Sequence, residues 1–453
     1  MGVEVERLIK RKYNISYTRL IALSFLCVIL VGTFLLTLPI SGRDGRWTSL
    51  TDAMFTATSA TCVTGLAVYD TYQHWSLFGQ LVLLFLIQIG GLGFMTIISL
   101  IAVFMKKRIG LHERKILMAS SGNMRLSGMI QLIKKIATIT FCCEGIGAFF
   151  LAFTFVPEFG FFRGIYYAVF HSVSAFCNAG FDLMGIVEPG SSLALYEGKV
   201  SVMIPISMLI IVGGIGFQVW VDLLHNKLHA KRYSLHTKVV LTTTAVLLLG
   251  GAVLYAIFEA NGHLRGMSFG ERLLSCGFLS VTTRTAGFSG FDLRELSPSG
   301  SLLTMVLMVI GGSPGSTAGG MKTTTLAVMV MAVRGMSLGE KDITVFKRRL
   351  NKDLIKQAAV ILFIYLFAVL SFAMIISCLE SSPLQNTLFE TCSALGTAGL
   401  TQGLSESAGE ITKVLLAILM YGGRIGGLSL LLVFAERKTE AVTKRPAERI
   451  MLG

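Results

Sequence analysis

Ser59-Ala-Thr-Cys-Val-Thr-Gly65-Leu66, Ser174-Ala-Phe-Cys-Asn-Ala-Gly180-Phe181, Val281-Thr-Thr-Arg-Thr-Ala-Gly287-Phe288 and Ser393-Ala-Leu-Gly-Thr-Ala-Gly399-Leu400 are four versions of one stretch. Their glycines, Gly65, Gly180, Gly287 and Gly399, stand 115, 107 and 112 residues apart. Each stretch follows a short helix-like segment (51–60, 164–176, 269–280 and 384–395) and precedes a long apolar run. Small residues at helical spacing also make tight contacts in membranes. Such contacts impose no common position after a short helix and before a long span. The repeat therefore reads as outer helix, pore helix, extended loop, inner helix, used four times. That is an all-α integral membrane protein whose repeats surround a pseudo-fourfold pore.

Composition agrees. Of 453 residues 53% are hydrophobic and 15% charged, where a soluble domain carries about 25% charged residues. Segments 20–42, 200–221 and 357–379 hold 23, 22 and 23 residues without a charge, and about 20 suffice to cross a ~30 Å hydrocarbon core. The N-terminal Arg7, Lys10, Arg11 and Lys12 resemble the start of a secretory signal. The apolar run behind them is too long and lacks a small-residue cleavage pattern, so it reads as a retained first helix.

The net charge of +14 is concentrated: five Lys and Arg in residues 1–19, eight in 106–135, four in 227–238, seven in 334–356 and five in 437–453. These clusters fall at alternate ends of the apolar segments, the positive-inside pattern, which places both termini and three connecting loops in the cytoplasm. A basic face for nucleic acid is not the reading they support. The expected organisation is a cytoplasmic segment 1–18, pore repeats 19–110, 111–234, 235–350 (with a broken inner helix) and 351–436, and a cytoplasmic tail 437–453.

Non-helical backbone at membrane depth is tolerated only where it is buried in protein or lines a watery cavity. Four such loops around an axis turn carbonyls inward, and carbonyl dipoles replace the hydration shell of a potassium-sized ion. The expected ligands are the backbone carbonyls of Val63 and Thr64, Asn178 and Ala179, Thr285 and Ala286, and Thr397 and Ala398, because side chains differ while positions repeat. The glycine, free to adopt positive φ, directs the chain. No loop holds a carboxylate, which argues against a divalent-cation pore.

With these loops in hand, the chain resembles the Trk/Ktr/HKT superfamily of potassium transporters over about residues 19–436. With eight spans and no additional N-terminal pair it is most similar to the KtrB-type membrane subunit. The resemblance assigns the filter glycines to Gly65, Gly180, Gly287 and Gly399. It implies K⁺ uptake, often Na⁺-dependent, through a homodimer with one pore per chain, and a cytosolic nucleotide-binding ring of the KtrA type. No βαβ glycine fingerprint occurs in this chain, so nucleotide control would come from a partner and no cofactor is expected here. Another monovalent cation, Na⁺ or NH₄⁺, stays open as the substrate.

Gly311-Gly312-Ser313-Pro314-Gly315-Ser316-Thr317-Ala318-Gly319-Gly320, followed by Met321, Lys322 and Thr323, nearly spells a phosphate-binding loop. Met321 intervenes, and an apolar run rather than a soluble strand precedes it. Glycines and a proline inside a span must break the helix, and ten irregular residues exceed what a kink needs. In the family this position is the intramembrane loop that gates the pore. Arg424, midway between Lys413 and Glu436 on the fourth inner helix, lies near the bilayer midplane, where a charge is costly. It is expected to face inward and meet the carbonyls of this loop, the alternative being helix C-terminal carbonyls. The family also has an arginine there. Glycine clusters at 90–93, 213–216 and 422–427 read as close-packing points or bends.

Other polar residues carry weaker expectations. Glu144 is a proton or Na⁺ ligand, or a structural pair. Arg284 should point behind its loop and bond backbone carbonyls. Trp47 and Trp75 read as interface anchors, and the cysteines, lacking CxxC spacing, as small core residues. The seven histidines offer no cluster for a membrane-embedded enzyme.

Overall fold

The computed structural model describes residues 17–93, 129–227, 229–340, 342–346 and 348–426. The expected tail 437–453 and the basic stretch 94–128 between the first two repeats lie outside these residues, as does the expected N-terminal segment except for residues 17 and 18. Four long helices, Tyr17–Thr37, Met129–Phe159, Leu235–Phe258 and Lys352–Glu380, are the outer helices. Each contains a stretch long and apolar enough to cross a membrane. The third begins at a Ser234 cap over Thr237 N–H and the fourth at an Asn351 cap over Asp353 N–H; each side chain accepts from a backbone donor that the helix start leaves unpaired. Their outward faces expose Leu30, Phe34, Phe149, Phe153, Leu249, Val253, Phe363 and Phe367. Water would not tolerate so much apolar surface; lipid does.

The four pore helices are Leu50–Cys62, Phe161–Cys177, Phe269–Thr282 and Leu384–Gly396. They pack between outer and inner helices. Ala53, Ala57 and Ala60 of the first are fully buried. The third opens with a capping box between Ser268 and Glu271, which satisfies two orphan donors at once.

The inner helices, Leu77–Leu92, Val200–Ile215, Pro298–Val309 and Glu410–Ile425, are all short. The longest have 16 residues, about 24 Å at 1.5 Å per residue, less than a hydrocarbon core. Sequence reading broke only the third. In the structure all four stop at corresponding places, at Gly93, Gly216, Ile310 and Gly426. After Gly216 the chain turns 95° into helix Phe217–Asn226. The second inner span, whose glycine cluster reads as a packing point or a bend, is thus a bent pair, because Gly216 takes φ 104° and ψ 140°, a conformation that side chains rarely adopt. After the ten-residue loop the third repeat resumes as Thr323–Ser337. A small antiparallel hairpin, Thr344–Val345 with Arg348–Arg349, is the sole departure from all-α among the described residues.

Candidate functional site

Three of the four pore helices end identically. Val63 N–H donates to Ala60 O (3.2 Å) and Thr64 N–H to Ser59 O (2.8 Å); Asn178 and Ala179 repeat this on Ala175 and Ser174, and Thr397 and Ala398 on Ala394 and Ser393. This pair of bonds is the Schellman ending of a helix, whose left-handed residue is usually glycine. Here that residue is Val63, Asn178 or Thr397, at φ 57°, 59° and 52°. In the third repeat Thr285 takes φ 70° with a different bond, Ala286 N–H to Thr282 O at 3.0 Å. The repeated Ser-Ala thus supplies the carbonyls that close the turn, a role the sequence did not reveal.

The four repeated glycines, Gly65, Gly180, Gly287 and Gly399, follow at φ 100°, 70°, 79° and 80°. They touch one another. A Cβ on Gly65 would lie 2.6 Å from Ala179 O and 3.3 Å from Gly399 Cα; on Gly180, 2.7 Å from Ala286 O; on Gly287, 3.1 Å from Ala398 O and 3.2 Å from Thr64 O. On Gly399 it would collide with Thr64 O. The carbonyls of Thr64, Ala179, Ala286 and Ala398 therefore converge on the glycine ring. Those of Val63, Asn178, Thr285 and Thr397 belong to the four turns just before it. Among the described residues, no hydrogen bond ends on any of the eight.

Each chain segment leaving the ring is tied back to its own pore helix by different chemistry. Tyr69 donates to Asp52 Oδ2 (2.7 Å), Leu183 N–H to His171 Nε2 (3.3 Å) and Thr401 to Glu390 Oε2 (3.0 Å). In the third repeat Thr282 of the helix donates to Phe288 O (2.6 Å). His171 also donates from Nδ1 to Tyr167 O (2.7 Å), which makes it a neutral structural imidazole. Asp52 pairs with Lys413 at 2.6 Å, both nearly buried, closing repeat four onto repeat one. The ring opens on a vestibule of about 700 Å³ lined by Asp70, Asp182, Glu188, Asp292 and Glu406, with Arg294 as the lone cation of its wall. Partial burial, and then the charge of Asp70, push the Asp182 carboxyl up to about 6.

On the opposite side of the ring sits the loop 311–320. A Cβ on Gly320 would lie 2.7 Å from Gly396 O, and one on Gly319 would collide with Thr397. Ser313 N–H and Thr317 N–H bond Gly214 O and Gly213 O (3.0 and 3.3 Å), and Phe217 N–H bonds Gly315 O (2.7 Å). Arg424 donates to Thr317 O of this loop and to Gly90 O and Gly91 O at the end of the first inner helix. It meets the loop carbonyl and the helix C-terminal carbonyls together. Lys322, which sequence reading weighed only as part of a nucleotide motif, folds back onto Ala318 O and Gly319 O (2.8 and 3.3 Å). The glycine clusters pack and bend alike: Gly90, Gly213 and Gly423 press on Thr61 O, Phe176 O and Leu395 O of three pore helices; Gly427 lies outside the described residues.

Some expectations need correction. Arg284 lines a small cavity with Ile210, Thr244 and Leu248, but bonds no carbonyl among the described residues. Its Nε is buried without an acceptor. Trp75 is not an interface anchor: it is 1% exposed, packed edge-on to His74 and bridged to Gly42. Trp47 is exposed. Cys27, Cys142 and Cys378 are exposed, whereas Cys62, Cys177, Cys276 and Cys392 are buried. Glu144 accepts from Gln88 Nε2 (3.0 Å), the structural pairing. No group of three His, Cys, Asp or Glu able to hold a metal occurs among the described residues.

Comparison with known proteins places this architecture. Residues 6–444 match the family model TrkH, cation transport protein. The chain is 42% identical to the potassium/sodium uptake protein NtpJ of Enterococcus hirae, with all of both chains covered. It is 38% identical to the Ktr system potassium uptake protein B of Bacillus subtilis over 93% of each. The crystal structure of the potassium transporter TrkH from Vibrio parahaemolyticus superposes with TM-score 0.71 at 16% identity, covering 94% of this chain and 86% of that one. With the family model matched over residues 6–444 and relatives 42% and 38% identical over 93% or more of each chain, the chain is a member of the TrkH cation transport protein family.

Proposed function

We propose that this chain is the pore subunit of a K⁺ uptake system. The observation that carries the proposal is the glycine ring, where four backbone carbonyls converge without a hydrogen-bond donor. A buried carbonyl normally finds a partner, and a dehydrated K⁺ is the partner that such a ring of oxygens suits. The acidic vestibule on one side concentrates cations, and the basic loops on the other side mark the cytoplasmic face. Loop 311–320, with Arg424 and Lys322, is the gate. Two positive charges beneath the ring oppose K⁺ while the loop occupies the path. A homodimer and a KtrA-type cytosolic ring that moves the loop complete the assembly. Na⁺ is the second ion we assign to the system, on the strength of the potassium/sodium uptake relative.

Growth of a K⁺-uptake-deficient bacterium on low K⁺, with this chain alone or with a ring subunit, tests the reading. Ser at Gly65, Gly180, Gly287 or Gly399 adds a Cβ at positive φ beside a neighbour's backbone. We expect K⁺ over Na⁺ preference to fall more than expression does. Unchanged ion competition in all four variants would remove the filter assignment. Arg424→Ala should raise K⁺ flux into liposomes without the ring subunit, and an unaltered flux from folded protein would leave the arginine structural.

A further inference from the structure

Thr317 joins the gate to the filter. It is fully buried in the loop. Its carbonyl accepts from Arg424, while its hydroxyl lies 3.0 Å from Phe176 O and 3.3 Å from Asn178 Oδ1. Asn178 is the left-handed residue of the second filter turn, directly before Ala179, whose carbonyl is one of the four at the ring. Its amide Nδ2 reaches Thr285 Oγ1 at 3.4 Å, and Thr285 is the positive-φ residue of the third turn. A chain of side-chain contacts thus runs from the arginine through the loop into two adjacent filter turns.

We infer that Thr317 is a specificity-determining positioning residue: its hydroxyl braces Asn178, so that discrimination between K⁺ and Na⁺ depends on where the gate loop stands. The inference rests on the pore reading above. One hydroxyl proton serves two acceptors, so the brace is weak enough to break each time the loop moves. The strain it helps to hold is real, because both Asn178 and Thr285 sit at positive φ without being glycine, a conformation that persists only where the surroundings impose it. With Thr317 withdrawn, Asn178 loses its donor, its amide is free to turn from Thr285, and the carbonyl spacing of repeats two and three relaxes. Among the four residues at this position, Asn178 is the one whose side chain links loop 311–320 to another filter turn, through Thr317 on one side and Thr285 on the other. Val63 has no polar group. The hydroxyl of Thr397 is buried without a partner.

The test is the ratio of K⁺ to Na⁺ flux in liposomes for the full chain and for Thr317→Val, Thr317→Ser, Arg424→Ala and the double variant. Thr317→Val keeps shape and loses the donor. It should lower the K⁺/Na⁺ ratio about two- to tenfold, the range one neutral hydrogen bond commands, while Thr317→Ser restores it. Arg424→Ala should raise flux on either background, and lower the ratio only where Thr317 is present. Such non-additivity marks two residues acting through one contact. A wild-type ratio in Thr317→Val, or independent effects of the two changes, overturns the coupling while Arg424→Ala still reports on the gate. A chain without K⁺-selective flux at all would instead defeat the pore reading itself.

Discussion

Val63 shows how single residues are held at the filter. A β-branched side chain at φ 57° is an uncommon conformer, with a cost of order 1–3 kcal/mol. It is held by the two helix-end bonds and by full burial. Gly90 is the complement. A Cβ there would lie 2.8 Å from Val63 Cγ2 and collide with Thr61 O. Gly90→Ala should therefore lower the thermal midpoint of the detergent-solubilised protein, by an overpacking cost of about 1–3 kcal/mol. Gly145 and Gly250, on outer helices with open space around the added atom, supply the contrast. Alanine at either should leave the midpoint unchanged or raise it, since Ala exceeds Gly in helix propensity by about 1 kcal/mol. Both classes of glycine look alike in the sequence, because what separates them is a carbonyl from another element.

Among elements, the inner helices carry the argument. Gly93, Gly216 and Gly426 share φ between 82° and 104° and ψ between 132° and 140°. Side chains rarely adopt that conformation, so the end of each inner helix is written into its glycine. At Gly216 the constraint is double, because an added Cβ would also stand 2.7 Å from Pro314 O of the gate loop. At Gly426 no described residue lies near the added atom. Gly426→Ala should cost only the backbone strain, about 1–3 kcal/mol, and Gly216→Ala more, with leak of K⁺ as the loop loses its seat. Paired thermal shifts and liposome flux check the ranking; equal effects would show that the loop contact contributes nothing. The clusters were legible as bends or packing points, and the structure makes them both. Where each inner helix ends was not legible, since apolar runs on both sides of a glycine have the composition of an unbroken span.

At the scale of the molecule the four repeats make an asymmetric device, acidic at the vestibule and cationic under the ring. Asp182 links this to pH. Its carboxyl is raised to about 6 by burial and by Asp70, so the folded state holds the proton more tightly than the unfolded chain does. The stabilisation is present in full below the unfolded value and is lost as pH rises through about 6. Function runs the other way: protonation below about 6 removes a vestibule charge and with it local cation concentration. At limiting K⁺, influx should fall as the vestibule side is acidified from pH 7 to 5. Asp182→Asn should flatten that response and lose the corresponding slope of thermal midpoint with pH. A variant that keeps the wild-type profile would assign the dependence to another carboxylate.

The sequence by itself determined the number of repeats, the positions of the pore helices and of the four repeated glycines, and the broken third inner helix. These rest on local properties: the length of apolar runs and the few conformations open to Gly and Pro. Only the tertiary structure decided which partners those groups meet. Arg424 bonds Gly90, 334 residues away; Thr317 reaches Asn178 across 139; Lys413 pairs with Asp52 across 361. Trp75 is buried and Arg284 is left without an acceptor for the same reason. Charge and aromaticity state what a side chain requires, while closure of four repeats around an axis determines whether the requirement is met.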